Sequence, residues 1–251
     1  MKTKNDLLKE WQLAYNTPFS GWDFSLLEGH WRLEDLPWNY DMIIKKYIMD
    51  DQRILDMGTG GGEYLLTLKH PNHNTSVTEG YLPNYKICVE TLAPLGIEVK
   101  FVEEDDKLAF PNNYFDCVIN RHESYDLNEV YRVLKPGSYF ITQQVGYKNN
   151  QDLTIQLLGT DFQRNEMNTL AVQRHLAINA GFTIIEEQES FAKMRFYDIA
   201  ALVYYAKIIS WEFPNFSVDN HCNHLMRLYH KLEEKGYISS TEHRYLLVLR
   251  K

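Results

Sequence analysis

The chain has 251 residues, enough for one large domain or for a domain with a sizeable insertion. With 44% hydrophobic and 24% charged residues it reads as globular rather than disordered, and no run of about eighteen apolar residues exists to span a membrane. Its net charge of −8 lacks the attraction that phosphate backbones reward, which disfavours a nucleic-acid substrate.

The chain opens on "MKTKNDLLKEWQ", which carries basic residues but not the apolar stretch of a secretory signal. Through residue 50 it is aromatic and turn-rich ("WQLAYNTPFSGWDFS", "LPWNY"), and this segment is read as a helical lid. Strand and helix signals then alternate. "RILDM" is a short apolar strand, followed at once by glycines and by the helix "EYLLTLK". "TSVTEG" is a second strand, and "NYKICVETLAPLG" a helix stopped by Pro94 and Gly96. "IEVKFV" alternates with period two, and "FDCVINR" is a buried strand. "LNEVYRVLKPG" reads as a helix ended by Pro136–Gly137, and "SYFITQQV" is the next strand. The helix "NTLAVQRHLAINAG", the strand "FTIIEEQES" and a closing strand "RYLLVLR" complete the rhythm.

Such alternation predicts an α/β fold with a doubly wound, mostly parallel sheet of seven strands. The expected organisation is a lid (1–50), a binding core (51–190), a helical insertion serving as substrate cap (191–240) and a final strand (241–251). The insertion contains the nearly all-apolar helix "DIAALVYYAKIISW". Cys88, Cys117 and Cys222 form no CxxC pair, which suits free thiols in a reducing cytoplasm. "HCNH" (221–224) lacks a second pair of ligands at zinc spacing, so no metal is expected.

"LDMGTGGGEYLL" poses the functional question, because four glycines in five positions cost backbone entropy unless something approaches the chain closely. A dinucleotide fingerprint needs G-x-G-x-x-G; counted from Gly58 the last position is Glu63, and counted from Gly60 it is Leu65. The pattern is instead D-x-G-x-G-x-G led by Asp56, and an acid there suits a ligand with a positive amine rather than a pyrophosphate.

That pattern resembles motif I of the class I S-adenosylmethionine-dependent methyltransferases, and further matches follow in the family's order. Glu79 ends the second strand, "EEDDKLAFPNNYFDCVI" is similar to the stretch before the family's fourth strand, and "EVYRVLKPGSYFI" is similar to its "E..RVLKPGG.F". The nearest likeness is to the UbiE-like, type-11 group and a functionally unassigned branch of it. The resemblance implies a Rossmann-like fold, S-adenosylmethionine as donor and S-adenosylhomocysteine as product. It implies that Gly58 and Gly60 line the methionine part, with Gly62 permitting close helix packing. Asp56 would influence the amino group, and Glu79 would take the ribose hydroxyls. Glu104, or else Asp105, would hold the adenine amine.

The fourth strand ends in "NRHES", which makes Asn120, His122 and Glu123 candidates to face the methyl. His122 could act as a base near neutral pH or simply pack beside the cofactor. Trp38 and Tyr40 precede the first core strand, where family residues close over the methionine end, and Tyr40 is therefore a cofactor-binding candidate. Neither a "[DN]PPY" motif nor a Pro-Cys nucleophile occurs, so a small-molecule acceptor leads. An RNA or protein methyltransferase and a catalytically silent binder of the cofactor are the alternatives.

Overall fold

The computed structural model describes residues 2–19, 24–103, 107–162 and 164–251. Its strands are β1 (Trp31–Leu33), β2 (Ile54–Met57), β3 (Thr75–Glu79), β4 (Glu98–Phe101), β5 (Phe115–Arg121), β6 (Leu134–Val145), β7 (Thr183–Phe196) and β8 (Ile238–Arg250). The helices are α1 (Lys4–Asn16), α2 (Tyr40–Tyr47), α3 (Glu63–Thr67), α4 (Leu82–Thr91), α5 (Leu127–Val133), α6 (Gln151–Leu158), α7 (Leu170–Asn179), α8 (Ile199–Ile208) and α9 (Cys222–Lys235).

The strand order is β1-β7-β8-β6-β5-β2-β3-β4. Pairings β2–β3, β2–β5, β3–β4 and β5–β6 are parallel, whereas β6–β8 is antiparallel. The fold is thus α/β and Rossmann-like, with one strand more than the seven expected. The extra strand is β1, three residues that pair antiparallel with the end of β7, Trp31 opposite Phe196. A three-residue strand is too short to show an alternating pattern.

The chain divides into two compact units. One comprises Pro37–Tyr147, Glu166–Ser190 and Arg244–Lys251. In it all four residues of β2 are buried, as a parallel strand covered on both faces requires. Leu55, Met57, Val118, Phe140 and Leu247 belong to its core. The helix before β6 stops at Val133, short of the expected Pro136–Gly137, because Leu134 is already extended and pairs with Phe115. The "E..R" pair of that helix braces the preceding loop. Glu129 accepts from the Leu108 amide (2.8 Å) and pairs with Arg132, which donates to the carbonyls of Leu108 (2.8 Å) and Phe110 (2.7 Å).

The other unit comprises Met1–Leu36, Lys148–Asn165 and Phe191–His243. Thr3 and Asp6 form a capping box that starts α1, whose Leu7 and Trp11 share one buried face. Helix α8 is buried nearly all round, as its composition predicts, and Asp198 caps it. Arg164 is buried within this unit and bonded on every side: to Glu212 (2.6 Å), the Asn149 carbonyl (2.8 Å), Thr154 (2.9 Å) and Asp161 (3.1 Å). Among the described residues no helix is long and apolar enough to cross a membrane.

Candidate functional site

Parallel register sets Met57 level with Thr78 and with Asn120, so the residues that follow these strands meet at one end of the sheet. The chain turns directly after Met57. The amides of Gly58 and Thr59 both donate to the Thr78 carbonyl (3.0 and 3.1 Å). Gly58 has φ +67 and Gly62 has φ +85, a backbone region that side chains strain to enter. A Cβ on Gly62 would lie 2.6 Å from Leu92 Cδ1, so this glycine lets the start of α3 pack closely. A Cβ on Gly58 would lie 2.2 Å from Glu123 Cγ. The space above Gly58 is therefore a cradle, filled here by a flexible carboxylate side chain.

Two acids flank the turn. Asp56 is only 5% exposed. Burial raises its carboxyl from 3.8 to about 6; the Thr59 hydroxyl and Arg121 oppose the rise, and the charge of Glu79 adds to it. Thr59 Oγ1 is close enough to exert that influence but is buried without a partner at hydrogen-bonding geometry. Glu79, also 5% exposed, ends β3. Its Oε2 accepts from the Gly60 amide and its Oε1 from the Tyr81 amide, both at 2.8 Å. Two backbone donors fix the carboxylate plane and leave each oxygen a further lone pair.

The end of β5 supplies the third side. Asn120 is fully buried, and its Oδ1 accepts from Thr142 (2.9 Å) and from Gln144. The Tyr40 hydroxyl lies 2.9 Å from the Asn120 carbonyl and 3.1 Å from that of Ile141, which ties α2 to the strand ends. Burial pushes the Tyr40 phenol well above 10. Tyr40 stacks on Tyr64 (6.0 Å), Tyr64 donates to Asp41 (2.5 Å), and the Arg121 guanidinium lies 3.6 Å from the Tyr64 ring centre.

His122 sits in the left-handed region (φ +64), with its amide donating to the Gln143 carbonyl (2.9 Å). Its Nε2 meets Gln143 Nε2 at 3.1 Å, and Gln143 Oε1 accepts from the indole of Trp38 (2.8 Å). His122 is exposed at this strand end; partial desolvation of the ring, then the charges of Arg244 and Arg121, lower its pKa below 6.5, so it is neutral at pH 7. Glu123 Oε1 accepts from the amide and hydroxyl of Ser124 (3.1 and 3.2 Å).

The structure thus gathers Asp56, Gly58, Gly60, Gly62, Glu79, Asn120, Tyr40, His122 and Glu123 at one end of the sheet. Glu104 and Asp105 lie outside the described residues. Sequence reasoning missed Asp41, Tyr64, Arg121, Gln143 and Gln144. The last two carried a signal, as consecutive amides inside the otherwise apolar strand "YFITQQV".

Residues 55–142 match the family described as "Methyltransferase domain". A demethylmenaquinone methyltransferase of Thermus thermophilus is 32% identical over 117 residues, covering 43% of this chain and 53% of that protein. The ubiquinone/menaquinone biosynthesis C-methyltransferase UbiE of Pseudomonas fluorescens is 29% identical over 111 residues, 39% of this chain and 43% of that one. Residues 55–142 thus carry a methyltransferase domain, similar to the corresponding part of these UbiE-type enzymes. The chain spans about half the length of these curated relatives. The methyltransferase domain coincides with β2 to β6, which hold the glycine turn and both buried acids. In fold, the chain is similar to the YcgJ protein of Bacillus subtilis (TM-score 0.56, 16% identity, 84% of this chain and 97% of that one).

Proposed function

We propose that this chain is a cytoplasmic methyltransferase that uses S-adenosylmethionine to methylate a small-molecule acceptor. The observation that carries the reading is the glycine turn clamped between two buried carboxylates, with Glu79 locked onto the Gly60 amide. An anionic cradle of this kind repels a pyrophosphate and suits a ligand bearing an amine and hydroxyl groups. The donor fits these residues, and when bound it supplies a methyl group already activated by its sulfonium.

In this reading the remaining lone pairs of Glu79 take the ribose hydroxyls. Asp56, with its carboxyl near 6, is mostly ionised at pH 7 and attracts the amino group. Gly58 and Gly60 admit the methionine part once Glu123 swings out of the cradle, and Glu104 or Asp105 serves the adenine. Asn120 and Tyr40, held to each other, frame the strand end. What the chain contributes to rate is mainly position, since holding donor and acceptor in line can supply much of it.

A small acceptor is favoured by the acidity of the chain and by relatives whose names concern quinone biosynthesis. The test is transfer of labelled methyl from S-adenosylmethionine into a metabolite extract and into total RNA and protein. Label in the small-molecule fraction supports the reading. Label confined to the macromolecules moves the chain to the alternative acceptors, and absence of transfer despite donor binding makes it a silent binder.

A further inference from the structure

The Trp38–Gln143–His122 chain can be solved for its protons. An indole nitrogen only donates, so the atom of Gln143 facing Trp38 must be the oxygen, as the 2.8 Å contact has it. The Gln143 amide nitrogen then faces His122 Nε2 at 3.1 Å. Because that nitrogen also only donates, Nε2 must accept, and a neutral imidazole that accepts at Nε2 carries its proton on Nδ1. Among the described residues nothing takes a hydrogen bond from Nδ1, and the residue is exposed, so this nitrogen is open to a ligand or solvent. The side chain is therefore spent as an acceptor and unspent as a donor.

Arg121, the preceding residue, is in the same condition. Its guanidinium rests 3.6 Å from the Tyr64 ring centre, and Tyr64 is itself pinned by Asp41 and by stacking on Tyr40. Among the described residues no acceptor receives a hydrogen bond from Arg121 and no carboxylate bridges it. A guanidinium held over an aromatic ring keeps N–H groups free for an anion.

We infer that Arg121 and His122 form a donor-only subsite at the end of β5 for an anionic oxygen group, a carboxylate or an ionised hydroxyl, on the bound small molecule. Trp38 and Gln143 are the positioning residues that hold His122 in this tautomer. The inference rests on reading the strand end as a ligand site and adds the chemical class of what binds there. It also takes His122 out of the role of general base, so that an acceptor ionised before it binds fits best.

Two measurements decide it. Long-range 15N–1H correlation on the free protein, with His122 assigned by loss of its signals in His122→Asn, should show Nε2 unprotonated and Nδ1 protonated. In Gln143→Glu, where a carboxylate takes a proton from Nε2, the pattern should invert. A protonated Nε2 in the wild-type protein overturns the relay, whatever the protein's activity. Calorimetry then locates the anion. If it is the donor's own carboxylate, Arg121→Gln weakens S-adenosylhomocysteine about tenfold and leaves 5′-methylthioadenosine, which lacks that group, unchanged. If it belongs to the acceptor, benzoate binds the protein saturated with S-adenosylhomocysteine, and Arg121→Gln weakens benzoate by a similar factor. Unchanged affinities for all three probes overturn the subsite. Failure of the wild-type protein to bind S-adenosylhomocysteine counts instead against the methyltransferase reading, which the tautomer measurement does not depend on.

Discussion

Asp56→Asn should make the free protein more stable while weakening its hold on S-adenosylmethionine. Burial raises the Asp56 carboxyl from 3.8 to about 6, so the folded state holds its proton more tightly than the unfolded chain does. A carboxyl raised in this way leaves stability untouched while both states are protonated, below about pH 3. The penalty grows as pH climbs from the unfolded value to the folded one, and it is complete once both states are ionised. At about 1.4 kcal/mol per unit, a rise of roughly two units costs about 3 kcal/mol above pH 6 to 7. The neutral Asn side chain escapes that cost. Chemical denaturation of the two proteins from about pH 3 to pH 8 should show curves that coincide at the acid end and diverge by about 3 kcal/mol at the alkaline end. For a chain of this size that corresponds to a Tm higher by about 6–12 °C near pH 8. A difference independent of pH, or a variant less stable than wild type near pH 8, would refute the argument that Asp56 is held ionised at the expense of the fold.

Other outcomes follow from single contacts. Glu79→Ala should weaken S-adenosylhomocysteine by about 1.5–3 kcal/mol, the scale of charged hydrogen bonds. It should also lower stability, because the Gly60 and Tyr81 amides lose their acceptor; calorimetry and denaturant unfolding read the two effects separately. Gly62→Val forces a side chain into φ +85 and against Leu92, and should destabilise by more than about 2 kcal/mol. Glu129→Ala should speed amide exchange at Leu108 and Phe110 without changing the glycine turn, since the brace acts on that loop. Arg164→Met leaves Glu212 buried without its cation and should cost about 3–5 kcal/mol, measured by denaturant unfolding.

The core strands were legible as short apolar runs such as "RILDM" and "FDCVINR", or as alternation in "IEVKFV", set between turn residues, and the glycine turn by its four glycines in five positions, three of them at positive φ. The acids at 56 and 79 were legible by position alone, at the ends of those runs. Other features depend on tertiary placement and leave little trace in the sequence. Helix α6 begins after Asn150, which sits at φ +54 and spends its side chain on Tyr205 and Ser240 rather than on capping, so no start signal precedes the helix. Arg164 and Glu212 are 48 residues apart, and no local pattern pairs them. Arg121 is a solvent-exposed strand end, and nothing local shows that Tyr64, 57 positions earlier, lies beneath its guanidinium. Tyr40 and Trp38 were expected to close over a ligand; in the structure each is buried and hydrogen-bonded to the ends of β5 and β6.

The clamped glycine turn is proposed to hold a sulfonium nucleoside and not a dinucleotide. Isothermal titration of the wild-type protein with S-adenosylhomocysteine and, in parallel, with NAD tests that proposal directly. One equivalent of S-adenosylhomocysteine should bind, with affinity reduced in Glu79→Ala, and NAD should give no heat. Binding of NAD at the same turn, or S-adenosylhomocysteine affinity indifferent to Glu79, would contradict the proposal.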